Sequence, residues 1–220
     1  MKDFAQTPAK RSVKQPAKPS TAARRPTQNA PQEVRIIGGR WKRTPLPVLD
    51  RPGLRPTPVR VRETLFNWLG HDLTGWRCVD AFAGTGALGL EAASRGAAEV
   101  VLIEQDAALV TRLNQLKARL QGGEVVRVER GDALAGLRQR HGAGLDLVFL
   151  DPPFAEGTNE ALLTAALQAA RPTLSATGLI YLEAPSAWSN EMLAPLGLVL
   201  QRQGKAGAVA FHLLRAPSAD

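Results

Sequence analysis

The stretch DAFAGTGALG, residues 80–89, overlaps the end of a predicted strand, RCVDA at 77–81, and leads into a run of helix-forming residues. Its glycines, Gly84, Gly86 and Gly89, form the pattern G-x-G-x-x-G between a predicted strand and a predicted helix, which is the context that gives this pattern meaning. Such a strand–loop–helix unit predicts an α/β fold in which ligands bind at the carboxyl ends of parallel strands.

Strands and helices alternate on the C-terminal side of this loop. Hydrophobic periodicity predicts helices at 86–95, 106–121 and 158–170 and strands at 77–81, 99–104, 125–129, 145–150 and 178–183. The alternation predicts a Rossmann-like, mostly parallel sheet covered by helices on both faces. Residues 196–203 and 207–214, around Gly204, predict an antiparallel ending of that sheet.

The N-terminal third has a different composition. Residues 1–32 contain almost no large apolar side chains, so we predict a disordered basic tail. Residues 33–75 are predicted to form a substrate-facing extension, with two short strands within 34–50 and a helix over 58–69 that Thr57 caps and Gly70 ends. Residues 76–216 are predicted to form the catalytic domain.

The positive charge of the chain lies in this N-terminal third. The net charge is +8 overall, +6 in residues 1–32, +4 in residues 33–75 and −2 in the remainder. A basic segment joined to a nearly neutral body favours a polyanionic partner. A merely solubilising role for residues 1–32 is the alternative.

Several classes of protein are disfavoured by composition. No apolar run approaches the ~18 residues of a membrane span, and the first residues lack a secretory signal, so a cytoplasmic protein is expected. With one cysteine, Cys78, and three histidines, no metal-ligand spacing occurs and no metal is expected. Cys78 lies in an apolar run and is predicted to be buried filler.

Two cofactor classes fit the glycine-rich loop. A nicotinamide dinucleotide would rest its pyrophosphate on the helix N-terminus, and Glu104, which ends the second strand, would hold the ribose. S-adenosylmethionine (AdoMet) presents the same ribose, and the Asp80 carboxylate favours it because a carboxylate attracts an ammonium or sulfonium but opposes a pyrophosphate. We therefore predict AdoMet; the predicted contacts are Asp80, Phe82, Ala83, Gly84, Gly86, Glu104 and, for the adenine amine, Asp132.

Asp151-Pro152-Pro153-Phe154 directly follows the apolar strand 145–150 and should lie beside the glycine loop. An aromatic amine is a poor nucleophile because its lone pair is delocalised into the ring. The Asp151 carboxylate and the Pro152 carbonyl could accept both N–H groups, and the aromatic ring of Phe154 could stack on a base. The tetrapeptide predicts methylation of an exocyclic amine; a rigid Pro-Pro turn is the structural alternative.

At this point the chain resembles a known family. The residues that carry the resemblance are RIIGG at 35–39, RPT at 55–57, RVRETLFN at 60–67, the loop 80–89, Glu104 and DPPF at 151–154. Together they resemble the bacterial small-subunit (16S) ribosomal RNA guanine-N2 methyltransferases over residues 34–215. The resemblance implies the seven-stranded class I AdoMet-dependent fold, guanine N2 as methyl acceptor, and a precursor of the small ribosomal subunit as substrate.

Three arginines are candidates for phosphate contacts: Arg55, Arg60 and Arg62, with a solvated helix face as the alternative. Other functions remain open: methylation of a DNA base or a protein glutamine by the same chemistry, a nicotinamide-dependent oxidoreductase, and a non-catalytic RNA-binding protein. A monomer is expected.

Overall fold

Nine strands are present in the computed structural model, which describes residues 33–49, 57–153 and 160–217. In chain order they are β1 (Glu33–Arg35), β2 (Pro45–Pro47), β3 (Arg77–Asp80), β4 (Glu99–Glu104), β5 (Val126–Arg130), β6 (Leu145–Leu150), β7 (Leu174–Ala184), β8 (Val199–Ala206) and β9 (Val209–Arg215). Strands β1 and β2 pair as an antiparallel hairpin. The other seven form one sheet in the order β5-β4-β3-β6-β7-β9-β8.

The sheet is parallel from β5 to β7 and antiparallel at β9 and β8. Its strand order reverses at β3, because the chain runs outward from β3 to β5 and then returns to place β6 on the other side. Ligands of such sheets bind at the carboxyl ends of the two strands that flank the reversal. The predicted seven-stranded α/β fold with an antiparallel ending is therefore confirmed.

Six α-helices accompany the strands within these described ranges: α1 (Val59–Leu69), α2 (Ala87–Ser94), α3 (Ala107–Lys117), α4 (Ala133–Arg138), α5 (Glu160–Ala170) and α6 (Asn190–Leu193). One face of the sheet packs against α1, α2, α3 and the β1–β2 hairpin. The opposite face packs against α4, α5 and α6. Alternate strand residues enter the two cores, as Cys78 and Val79 do, because successive side chains of a strand point to opposite faces.

The β1–β2 hairpin is bound to α2 through a buried carboxylate. Glu91 of α2 accepts hydrogen bonds from the backbone N–H groups of Ile37 (2.7 Å) and Gly38 (2.8 Å). Gly39 has φ +71° and lies so close to α2 that an added Cβ would be 1.9 Å from the Ser94 carbonyl oxygen. Only glycine allows both that backbone conformation and that approach. The GG pair of the RIIGG segment therefore has a packing role.

Differences from the predicted elements lie at the ends of strands and helices: β7 begins at Leu174 where 178 was predicted, and β8 spans Val199–Ala206 where 196–203 was predicted. Helix α3 ends at Lys117, and α4 and α6 were not predicted. Helix α1 matches the prediction, but the prediction that Thr57 caps it was wrong. Pro58 occupies the cap position without a side-chain hydrogen bond, and the Thr57 hydroxyl instead donates to Asp151.

Strands β5 and β8 form the two edges of the sheet, and both carry charged residues: Arg127, Glu129 and Arg130 on β5, and Arg202 and Lys205 on β8. The pairing of β8 with β9 also shifts register between Leu200 and Arg202.

Candidate active site

The glycine loop and the DPP segment lie side by side, because β3 and β6 are hydrogen-bonded neighbours with Asp80 opposite Phe149. Period-two alternation along the strands places Asp80, Asp151 and Glu183 on the sheet face that α1 covers. Three carboxyl groups therefore converge at the carboxyl ends of β3, β6 and β7.

The loop after β3 is held in place by Glu104 at the end of β4. The N–H of Gly84 donates to Glu104 Oε2, and the N–H of Asp106 donates to Glu104 Oε1, both at 2.8 Å. Gly84 and Gly86 both adopt positive φ, and Gly86 precedes the first turn of α2. A carboxylate oxygen has two lone pairs, so Glu104 can still accept from a ribose hydroxyl.

Asp80 has one satisfied and one unsatisfied oxygen. Its side chain is buried, and Oδ2 accepts the Gly89 N–H of α2 at 3.0 Å, whereas Oδ1 has no hydrogen-bond partner among the described residues. Burial raises the pKa of Asp80 to about 7, although the Gly89 hydrogen bond lowers it. Two roles for Asp80 therefore have support: it accepts a hydrogen bond from the first turn of α2, and it presents an unpaired buried oxygen that a cationic group would satisfy.

Asp132 follows β5 and caps α4, since its Oδ1 accepts the Ala135 N–H at 2.8 Å. Its side chain is exposed at the same edge of the sheet as Glu104, because the N–H of Gly131 donates to the Glu104 carbonyl. Contact with an adenine amine stays a prediction for this residue.

Asp151 is hydrogen-bonded to Thr57, which lies one residue before the Pro58 cap of α1. The Thr57 hydroxyl donates to Asp151 Oδ2 at 3.0 Å. Burial raises the pKa of Asp151 well above its usual range; the charge of Glu183 raises it further, and the Thr57 bond opposes the rise. Pro152 is buried and Pro153 is exposed. Phe154, predicted to stack on the base, lies outside the described residues.

Sequence reasoning missed Glu183 and Tyr181. Glu183 is 3 % exposed, and its Oε1 accepts the Tyr181 hydroxyl at 2.9 Å. Burial raises the pKa of Glu183, against hydrogen bonds from Tyr181 and Thr57 that lower it. The available signal was a glutamate near the end of an otherwise apolar predicted strand, 178–183, where a charged residue is unusual.

The three arginines predicted to contact phosphate do not share one environment. Arg60 is exposed on α1, and Arg55 lies outside the described residues. Arg62 is fully buried: its Nε donates to the Thr57 carbonyl (3.2 Å), its Nη1 donates to the Arg35 carbonyl (2.9 Å), and Glu91 lies 3.8 Å from it. The prediction that Arg62 contacts phosphate was therefore wrong, because this guanidinium joins α1 to the hairpin inside the core.

Within the described ranges, no three His, Cys, Asp or Glu side chains are placed to ligate a metal ion together. No described helix is long and apolar enough to cross a membrane.

The residues at this site fit a cationic, adenosine-bearing methyl donor. The unpaired Oδ1 of buried Asp80 suits a positive group, and Glu104 and Asp132 offer acceptors for hydroxyl and amine hydrogens. Across the β3–β6 boundary, Asp151 offers an acceptor for the hydrogens of a second molecule. The arrangement can hold a cation and an amine side by side.

Known proteins resemble the chain over most of its length. The family described as Conserved hypothetical protein 95 matches residues 34–215. Ribosomal RNA small subunit methyltransferase D of Escherichia coli is 43% identical over 191 residues, covering 86% of this chain and 93% of that protein. The Haemophilus influenzae protein of the same name is 40% identical over 192 residues, covering 85% and 96%. A solved Escherichia coli structure named for a methyltransferase, YhhF, has 38% identity and a TM-score of 0.68, covering 85% and 99%.

Proposed function

This chain belongs to the Conserved hypothetical protein 95 family of methyltransferases, and we propose that it transfers a methyl group from AdoMet to the exocyclic N2 amine of a guanine in small-subunit (16S) ribosomal RNA. The predictions of an AdoMet-dependent methyltransferase and of ribosomal RNA as its substrate agree with the names of its relatives. The proposal goes further in two respects: the methyl acceptor is the guanine amine, and the substrate is the assembling small subunit.

One observation supports the proposal most strongly: the unpaired buried oxygen of Asp80 and the carboxyl of Asp151 lie at the ends of neighbouring strands. A donor of a positively charged methyl group and an acceptor amine have to meet for direct transfer. Holding two reactants in line supplies much of the rate of such a reaction. The residues proposed to hold AdoMet are Asp80, Glu104, Asp132 and the loop Phe82–Gly86.

Asp151 and the Pro152 carbonyl are proposed to orient the amine. Accepting its two N–H groups favours the pyramidal nitrogen, whose lone pair then points away from the ring. When bound, AdoMet supplies a methyl group on a positively charged sulfur; the C–S bond breaks as the N–C bond forms. The nitrogen loses one proton, which the Asp151 carboxylate is placed to accept. An unstacked or flipped nucleotide is required for this contact.

The test is a methylation assay with purified protein. Small-subunit RNA and assembled particles from cells lacking the protein are incubated with AdoMet, and nucleosides are measured by mass spectrometry. N2-methylguanosine should appear, and calorimetry should detect AdoMet binding without comparable binding of NAD. Methylation of DNA or of protein glutamine with unmodified RNA would overturn the substrate assignment. Binding of NAD alone, or of RNA without any methylation, would overturn the enzyme class.

Of the three candidate arginines, Arg60 is the one that lies within the described residues and is exposed to solvent. Arg60→Ala should weaken RNA binding and reduce the slope of log Kd against log salt concentration by about one, because one phosphate contact is lost. AdoMet affinity should be unchanged. The matched control is Arg138→Ala, an exposed arginine of α4 on the opposite face of the sheet. Equal salt slopes for Arg60→Ala and wild type would leave Arg60 as part of a solvated helix face.

A further inference from the structure

Glu183 has no cationic partner among the described residues, although it is almost fully buried. The Tyr181 hydroxyl donates to it, and Thr57 lies near enough to lower its pKa. Burial of a carboxylate lowers the stability of the fold, and an apolar residue at the end of β7 would not carry this penalty. This position therefore calls for a role that needs a titratable group.

Thr57 lies between Glu183 and Asp151. Its hydroxyl donates to Asp151 Oδ2 at 3.0 Å, and Thr57 also lowers the pKa of Glu183. Asp151 and Glu183 themselves follow Leu150 and Leu182, which are partners in the β6–β7 pairing. A hydroxyl has one hydrogen and two lone pairs, so it can donate to one carboxylate only. The second carboxyl group can bond to the Thr57 oxygen only as a donor, which requires that it be protonated. The hydroxyl thus favours a pair of carboxyls that hold one proton between them.

The groups that face this pair of carboxyls favour its protonated form. Tyr181 stays neutral, because burial and the charges of Glu183 and Asp151 raise its pKa well above the usual range. Asp80, from β3, adds negative charge near Asp151. Phe149 of β6 packs against Tyr181 and against Phe66 of α1, so apolar rings adjoin the pair. Burial and like charge both favour the protonated pair in the absence of a cation.

We propose that Asp151 and Glu183, joined by the Thr57 hydroxyl, hold one proton as a pair, release it when a cationic ligand binds beside Asp80, and take up the proton of the target amine. This inference rests on the proposed function. It balances charge over one turnover: positive charge leaves the sulfur as the methyl group moves, and the pair gains the proton that the nitrogen loses. Asp151 contacts the amine; Glu183 is a positioning residue that acts through Thr57.

Calorimetry can count this proton without any turnover. AdoMet is titrated into the enzyme at pH 7 in two buffers of different ionisation enthalpy, and the dependence of the binding enthalpy on the buffer gives the protons released. Wild type should release about half to one proton per AdoMet. S-adenosylhomocysteine, which lacks the positive charge on sulfur, should release clearly less and serves as the matched ligand.

Glu183→Gln tests the pair, because the amide keeps the shape and the hydrogen bonds but cannot titrate. The AdoMet-linked release should fall by at least about half, and the acid limb of the single-turnover rate should move to lower pH, because Asp151 loses a like-charged neighbour. Glu183→Ala should be slower than Glu183→Gln by about tenfold, since it also frees Thr57. If Glu183→Gln does not fold, Thr57→Val, which removes the hydroxyl between the two carboxyls, is compared with wild type in the same two measurements.

Equal proton release for AdoMet and S-adenosylhomocysteine would overturn the inference while leaving the proposed function intact. The same holds if Glu183→Gln releases as many protons as wild type while Asp80→Asn releases none, since Asp80 would then be the sole source. Absence of AdoMet binding to wild type would overturn the proposed function as well.

Discussion

Asp151→Ala should lower kcat by about two to three orders of magnitude while AdoMet affinity changes little. The carboxylate is proposed to stabilise the amine as its nitrogen gains positive charge. The variant therefore loses an interaction that wild type makes in the transition state. Its loss corresponds to about 2–4 kcal/mol. The measurement is single-turnover methylation with AdoMet and RNA both saturating, beside a calorimetric AdoMet titration.

Asp151→Asn is the matched variant for this prediction. Its amide oxygen accepts a hydrogen bond but carries no charge, so partial activity is expected between that of wild type and Asp151→Ala. Near-wild-type turnover by Asp151→Ala would mean that the DPP segment is only a rigid turn and that the amine is activated elsewhere.

Glu91→Ala should destabilise the fold by about 3–5 kcal/mol. Glu91 is fully buried and accepts the N–H groups of Ile37 and Gly38 beside the guanidinium groups of Arg62 and Arg95. Removing the carboxylate leaves the buried Arg62 charge without its counter-ion and leaves two hairpin N–H groups without an acceptor. Equilibrium unfolding in urea measures the change.

Glu99→Ala is the control, because Glu99 forms an ion pair with Arg77 in which both side chains are nearly half exposed (45% and 46%). Exposed pairs contribute little, so a change below about 1 kcal/mol is expected. If the two variants unfold at the same urea concentration, the hairpin does not depend on Glu91 and the buried network contributes no net stability.

Most of the sheet could be predicted because its strands are apolar runs bounded by turn residues. The strands 99–104 and 145–150 match β4 and β6 residue for residue. Helix α4 could not be predicted, since its six residues are too few to show a helical period. Helix α3 ends at Lys117, before the apolar stripe reaches Leu120, because the chain turns into a 3₁₀ segment at Gly123–Val125.

The candidate site was predictable where its residues are adjacent in sequence, as in the loop 80–89 and the DPP segment. It was not predictable where a role depends on distant partners. Arg62 was expected to contact phosphate, yet Glu91, 29 positions later, supplies the charge that allows its burial. Thr57 was expected to cap α1, yet the carboxylate of Asp151, 94 positions later in the chain, accepts its hydroxyl hydrogen.

The charged edge strands have a consequence for how the molecule behaves in a crowded solution. An uncovered edge is a template on which a second chain can add a strand and begin an aggregate. Here the charged residues Arg127, Glu129 and Arg130 at one edge, and Arg202 and Lys205 at the other, would have to lose water if a second strand were added beside them. The shifted register between Leu200 and Arg202 further disrupts the straight ladder that a new strand needs. The two edges therefore oppose fibril-like stacking of one copy on another.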